Sequence, residues 1–230
     1  EFVIAGVNHR RTAFASTPHD VMVLRWEASA PTRALVRHRG PGPAHYQEPR
    51  STEPATPAAV APCWDAREEP RRVPHWSAAA DGPDAWLLRG INPDGQFGAI
   101  PAGLDVALRV RVVGDGIVTA GPDGLEITGF TDVMLLIDAA TSHVRHDDVS
   151  GDPVAAVRAR TETAAAAGYQ VLLDAHVADH SVPAGRMSLD LGAGRTDLPT
   201  DERLRASASV EDPGLIALYV AYARYRAIAA

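Results

Sequence analysis

At Ser150-Gly-Asp-Pro153 the chain changes its period. Before this point apolar residues alternate or run in short blocks between turn residues; after it they recur three and four apart. That switch sets the order of the fold: a β layer first, helices second. The alternation is clearest at 104–113 (LDVALRVRVV), where Leu104, Val106, Leu108, Val110 and Val112 share one face and Arg109 and Arg111 the other. Val133–Ile137 is a continuous apolar run, as in a strand buried on both sides. Gly121-Pro-Asp-Gly124 predicts a turn joining strands at 117–120 and 125–128. Further strands are expected at 2–7 and 10–16, with Asn8-His9 as the turn, and at 21–27, 34–38 and 86–89. Many short antiparallel strands of this kind point to a β-sandwich.

Beyond the switch, Asp152 is placed to cap a helix and Pro153 to begin it. The alanine-rich stretch from Val154 to Ala167 ends at Gly168, a residue suited to a helix stop. A second helix is expected from Tyr169 to about His180, before Pro183. Met187–Leu191 (MSLDL) reads as a short strand, and Thr200, followed by Asp201 and Glu202, as the cap of a short helix. In the last helix, begun by Asp212-Pro213, residues Leu215, Leu218, Tyr219, Tyr222, Tyr225 and Ile228 form an apolar and aromatic face. The helix runs to Ala230 without a stop signal, and the chain opens at Glu1-Phe2-Val3-Ile4 inside a strand-like run. Both ends are those expected of a piece of a larger protein. The predicted domains are a sandwich at 1–149, a helical linker at 150–197 and the truncated start of a helical domain at 198–230.

Composition narrows the function. A net charge of −7 argues against nucleic-acid or anionic-membrane partners. All 22 basic residues are arginine, which with the alanine excess reads as the coding bias of a high-GC, bacterial source. The lone Cys63 excludes an internal disulfide framework and a cysteine zinc site, and does not fix the compartment. An extracytoplasmic or secreted parent protein is the favoured expectation. No apolar run reaches the length of a membrane span. Half of the 18 prolines lie in 39–83, which reads as a long irregular insertion between strands.

Candidate chemistry is sparse. His176 and His180 have the four-residue spacing of a helical metal pair, but Val177 stands where a zinc protease needs its glutamate, so surface or interface histidines are expected. His143, His146, Asp147 and Asp148 cluster after the buried strand, where capping and solvated loop residues are the commoner case. Asp190 and Asp197 do not make a convincing catalytic carboxylate pair, since such pairs are defined by separation in space, which sequence distance does not show. There is no Walker loop, dinucleotide fingerprint or G-x-S-x-G elbow. Trp26 and Trp86, in strands, are expected in the core. Trp64 and Trp76, in the proline-rich insertion, are the residues nominated to bind saccharide. No cofactor and no metal site is expected.

Four segments taken together carry a resemblance: 132–153 (DVMLLIDAATSHVRHDDVSGDP), 175–191 (AHVADHSVPAGRMSLDL), 197–204 (DLPTDERL) and 212–228 (DPGLIALYVAYARYRAI). In this order they resemble glycoside hydrolase family 95, whose best-known members are α-L-fucosidases. Upstream, 11–25 (RTAFASTPHDVMVLR) and 103–113 (GLDVALRVRVV) are similar to strands of the family's N-terminal sandwich. Two places depart from the pattern: His180–Gly185 where the linker helix usually continues, and Arg226-Ala227 where the last helix usually carries a leucine pair.

The resemblance implies a galactose-mutarotase-like supersandwich, a helical linker and an (α/α)₆ barrel. The family's glutamate general acid, its aspartate and its paired asparagines lie in that barrel and match no position here, so no catalytic residue is assigned. The implied partners are an oligosaccharide or glycoconjugate held by the barrel, and the barrel itself as a packing surface for the linker. Two other readings stand beside it: a related sandwich–barrel hydrolase or phosphorylase acting on another sugar, such as an α-L-galactoside, and a free-standing carbohydrate-binding or structural sandwich.

Overall fold

The computed structural model describes residues 1–38, 75–92 and 104–228. Among the described residues eight strands form one antiparallel sheet: β1 (Phe2–Ile4), β2 (Val7–Ser16), β3 (Val21–Val36), β4 (His75–Ala80), β5 (Ala85–Asn92), β6 (Leu104–Gly114), β7 (Ile117–Gly121) and β8 (Gly124–Thr141). Their order is β1-β2-β3-β8-β6-β5-β4, with β7 on the outer half of β8. Four helices follow: α1 (Pro153–Ala167), α2 (Tyr169–Ala184), α3 (Thr200–Ala206) and α4 (Pro213–Ile228). None is long and apolar enough to cross a membrane.

The expected sandwich is made from a single continuous sheet. β3 and β8 are long enough to serve both layers, and their pairing slips between Glu27 and Thr32. Pro31 falls in that slip, where the ladder needs no N–H. The Asp115 carboxylate accepts the backbone N–H of Thr131 at 2.9 Å and of Asp132 at 2.7 Å, which fastens the opposite side of the irregularity. Beyond the slip, β7 and the outer halves of β3 and β8 fold back over β4 and β5. Between the layers lie Leu125, Ile127 and Phe130 of β8, Ala34 of β3, Trp86 and Leu88 of β5, and Val110 and Val112 of β6. The indole N–H of Trp86 donates to the Gly121 carbonyl at 2.8 Å and ties the layers at the β7 turn. Full burial of one such aromatic or leucine side chain contributes about 2 kcal/mol, so this cluster outweighs any single polar contact in the sheet.

The opposite face of the sheet is covered by α1. Asp152 caps the helix by accepting the Ala155 N–H at 3.0 Å, Pro153 takes its first turn, and Gly168 closes it with φ of 77°. Val157, Thr161 and Ala164 lie one turn apart on the buried face. Val157 packs on Leu87 and Ala107; Ala164 joins Val21, Val23, Met134, Leu136 and Leu172 of α2.

Beneath that helix sit charges. Arg109, 4% exposed, donates to Asp81 at 2.7 Å, to Thr161 Oγ1 at 2.5 Å and pairs with Glu162 at 2.8 Å. Arg158 of α1 reaches the same Asp81 carboxylate, and Arg111 joins Asp84 to Glu162. Arg160 pairs with buried Asp138 at 2.7 Å. Arginine's five-donor fork lets one buried cation satisfy several acceptors at once. The face bearing Arg109 and Arg111 is thus a helix-docking surface.

The chain divides into compact units after Leu172, 1–172 and 173–230. Residue 150, the boundary read from the sequence, marks the change from strands to helices; packing carries the first unit past α1 into the first turn of α2. In the second unit, Asp212 accepts the Leu215 N–H at 2.9 Å, capping α4, and forms a two-pronged pair with Arg203 of α3 at 2.9 Å per bond. Arg203 and Asp212 are both buried. A Cβ on Gly194 would lie 2.7 Å from the Gly214 Cα, so only glycine permits the backbone to close over this pair.

Several local expectations are corrected. The first hairpin turns at Ala5-Gly6, both with positive φ (49° and 79°), while Asn8 and His9 lie within β2. The segments at 21–27 and 34–38 are parts of one strand, because Pro31 sits at the slip. The proline-rich stretch ends earlier than residue 83: His75–Ala80 pairs with β5. Pro183 lies inside α2, in its last turn, where only the Asp179 carbonyl loses an amide partner. Met187–Leu191 has no ladder partner among the described residues, and Arg224 takes the Met187 carbonyl at 2.8 Å. Pro199, not Thr200, is the cap of α3, and no side chain caps it.

Two outcomes are expected. Asp81→Asn leaves Arg109 without its closest carboxylate and lowers unfolding free energy by about 3 kcal/mol, measured by urea denaturation; a change below about 1 kcal/mol contradicts the docking role. The pairing with Arg203 holds the Asp212 carboxyl down to about 2. A depressed carboxylate stabilises above its unfolded pKa of about 4 and loses that contribution as pH falls toward 2. Circular dichroism should therefore show α-helix lost between about pH 4 and 2, and Asp212→Asn should flatten that limb while lowering the midpoint of melting at pH 7.

Candidate functional site

Most residues nominated from the sequence have structural work. Trp86 is buried in the sandwich and Trp26 packs edge-on to Phe130 at 5.4 Å, as expected of core residues. The Trp26 indole donates to His9 Nδ1 at 3.1 Å, so the neutral His9 ring carries its proton on Nε2. Arg11 stacks over Trp26, 3.7 Å from the ring centroid, and Phe2 stacks on His9 at 5.0 Å. Sequence reading placed His9 in a turn and so missed this aromatic assembly; the signal available was Gly6, two residues inside the strand-like run.

His176 and His180 stack at 6.2 Å, and His180 meets Tyr225 edge-on at 5.5 Å. Among the described residues no group of three His, Cys, Asp or Glu side chains is gathered to hold a metal. His143 and His146 lie in the exposed turn after β8, where Arg145 and Asp148 form an isolated bridge. Arg145 pairs there with Asp147 at 2.9 Å. The hydroxyl of Ser150, then its N–H, hydrogen-bonds the Asp148 carboxylate and holds its pKa below the usual range. Asp190 accepts the Gly192 N–H at 2.8 Å in its own turn, and Asp197 lies in a turn before α3. These carboxylates serve local loop geometry.

Of the two tryptophans nominated for saccharide, Trp64 lies outside the described residues. Trp76 is on β4, opposite Gly90 of β5, and is 40% exposed. A Cβ on Gly90 would lie 2.3 Å from the Trp76 ring, so the ring rests flat on the glycine backbone. His38 stands 5.5 Å away.

An open cleft of about 550 Å³ in the first unit begins at the same place. Its floor is the part of the sheet that α1 leaves uncovered: Ser77 of β4, Arg89 and Ile91 of β5, and Asp105 of β6. Its wall is the start of α1, Asp152 to Val154. Trp76 borders the cleft. By the two-residue alternation of the pleat its ring lies on the face opposite Arg89. Register places Arg89 opposite Ala107 and Ile91 opposite Asp105, so Arg89 and Asp105 are diagonal neighbours on one face.

The chemistry of the cleft is mixed: one cation, two carboxylates and an apolar patch, with no nucleophile–base pair among the described residues.

Comparison with known families bears on both units. Residues 168–230 match the Glycosyl hydrolase family 95 catalytic domain. No curated protein matches the chain. Residues 1–146, well over half the chain, match the Glycosyl hydrolase family 65, N-terminal domain, and the chain belongs to that family of glycoside hydrolase sandwiches.

Proposed function

We propose that this chain is the N-terminal sandwich, the linker and the first barrel helix of an inverting α-L-fucosidase-type glycoside hydrolase, acting on terminal fucosides of glycans. The observation that carries the reading is the order of the two matches: a glycoside hydrolase sandwich at 1–146, followed directly by family 95 catalytic-domain sequence at 168–230. The exposed face of α4 supports it. Ile216, Leu218, Tyr219, Tyr222 and Tyr225 are between 43% and 71% exposed, an apolar stripe of the kind that neighbouring barrel helices cover. In this reading 1–172 is a support, and the acid and base of the reaction belong to barrel helices outside these 230 residues. Inversion requires those two carboxyl groups about 6.5 to 9.5 Å apart with a water between.

A second reading is favoured by the family assignment of the sandwich. Because its model is that of family 65 and not family 95, a related hydrolase or phosphorylase on another sugar, such as an α-L-galactoside, competes with the fucosidase.

The longer protein that carries this chain with its family 95 barrel, assayed on 4-nitrophenyl α-L-fucoside, should release nitrophenol with inverted fucose seen by proton NMR; the 230-residue chain alone should release none. Turnover by the short chain refutes the supporting role. Turnover by the long one on galactoside only, or only with phosphate present, replaces the fucosidase reading with the second.

A further inference from the structure

We propose that the cleft between β4–β6 and the start of α1 is an accessory binding site for a neutral saccharide unit, held by Arg89 and Asp105. The proposal rests on the glycoside hydrolase assignment of the chain and adds a site on the sandwich itself.

Arg89 and Asp105 differ from the charged groups that α1 covers. Arg109 and Arg111, further along the same face, form ion pairs with Asp81, Asp84 and Glu162 under α1. Arg89 and Asp105 are exposed, and among the described residues neither side chain takes part in an ion pair or hydrogen bond. They are diagonal neighbours across the β5–β6 ladder, both facing the cleft.

The fold does not need the Asp105 carboxylate. The residue is tied down through its backbone: its N–H donates to Ser142 Oγ at 3.0 Å, and its carbonyl accepts the Ser142 N–H at 2.8 Å.

The chemistry of the lining selects the ligand. A phosphate or carboxylate would meet Asp105 and Asp152, and a metal ion would meet Arg89 without the three ligands that hold it. A neutral polyol suits both signs, because each ring hydroxyl donates to a carboxylate and accepts from a guanidinium. Its C–H face has Ile91, 51% exposed, and Val154 to rest on. A cleft of about 550 Å³ lies within the range of small-molecule sites.

The test is a titration of the 230-residue chain with L-fucose, D-galactose and D-glucose, followed by calorimetry and by nitrogen–proton NMR shifts of the β5 and β6 amides. Saturable binding of at least one sugar near ~1 mM is expected. Arg89→Ala and Asp105→Ala should each weaken it about tenfold, with the melting midpoint unchanged because both side chains are exposed and unpaired. Absence of saturable binding by all three sugars, or binding equal in wild type and both variants, overturns the proposal. Trp76→Phe separates the cleft from the indole platform on the other face: retained binding places the sugar at Arg89 and Asp105, and loss in Trp76→Phe with none in the other two overturns the assignment to the cleft. A failed fucosidase assay leaves this result untouched, since binding is read without turnover.

Discussion

A cation sealed beneath a helix organises the first unit. Arg109 lies between the sheet and α1 with almost no access to water, and a guanidinium in that position must find carboxylates and hydroxyls or destabilise the fold by several kcal/mol. It finds Asp81 from the β4–β5 turn and Thr161 and Glu162 from α1. Three elements distant in sequence are thereby fixed against one atom group. Apolar packing of Val157 and Ala164 supplies the larger share of adhesion, but it is non-directional and would tolerate a helix slid by a turn. The arginine fork would not. Register of α1 on the sheet is therefore set by charge and held by hydrophobic contact, and the wall of the Arg89–Asp105 cleft inherits its position from that register.

The sandwich reaches closure in a way that depends on strand length. An 18-residue β8 and a 16-residue β3 each pass through both layers, so no separate hairpin has to carry the chain across. What this requires is one place where the ladder can bend. The slip beside Pro31, held from the other side by Asp115, provides it. The same bend leaves β4 as an edge whose Trp76 must be accommodated by a residue without a side chain, and Gly90 is that residue.

Legibility in the sequence followed how local each cause was. The start and stop of α1 were readable because Asp152-Pro153 and Gly168 act within one helical turn. The β7–β8 hairpin was readable because Gly121-Pro-Asp-Gly124 specifies a turn by itself. Placement of the first turn at Asn8-His9 was mistaken because the partner that draws His9 inward, Trp26, is 17 residues away. The strand expected at Met187–Leu191 had suitable alternation but needs a ladder partner, which no local pattern can reveal. Pro183 looked like a stop, yet one missing N–H in the last turn is tolerated, and its carbonyl is satisfied by Arg224. The role of Arg109 was half visible: its face was clear from alternation, its burial was not, because α1 returns to cover it some fifty residues later. The cleft depends on register across three strands and on where α1 begins, so its pair of free charges was beyond sequence reading altogether.

The second unit poses a different problem, that of holding a helix whose large side chains are mostly exposed. A helix of sixteen residues is marginal in water without tertiary contacts. α4 is held at both ends: Asp212 caps its start, Arg203 clamps Asp212 and the glycine pair at 194 and 214 lets the loop close on both, while near its other end Arg224 donates to the Met187 and Pro183 carbonyls and Tyr225 meets His180 edge-on. Along its length, by contrast, Tyr219 is 71% exposed and Tyr222 and Tyr225 more than half. A buried ion pair thus fixes the first turn of α4, while much of its aromatic face is exposed.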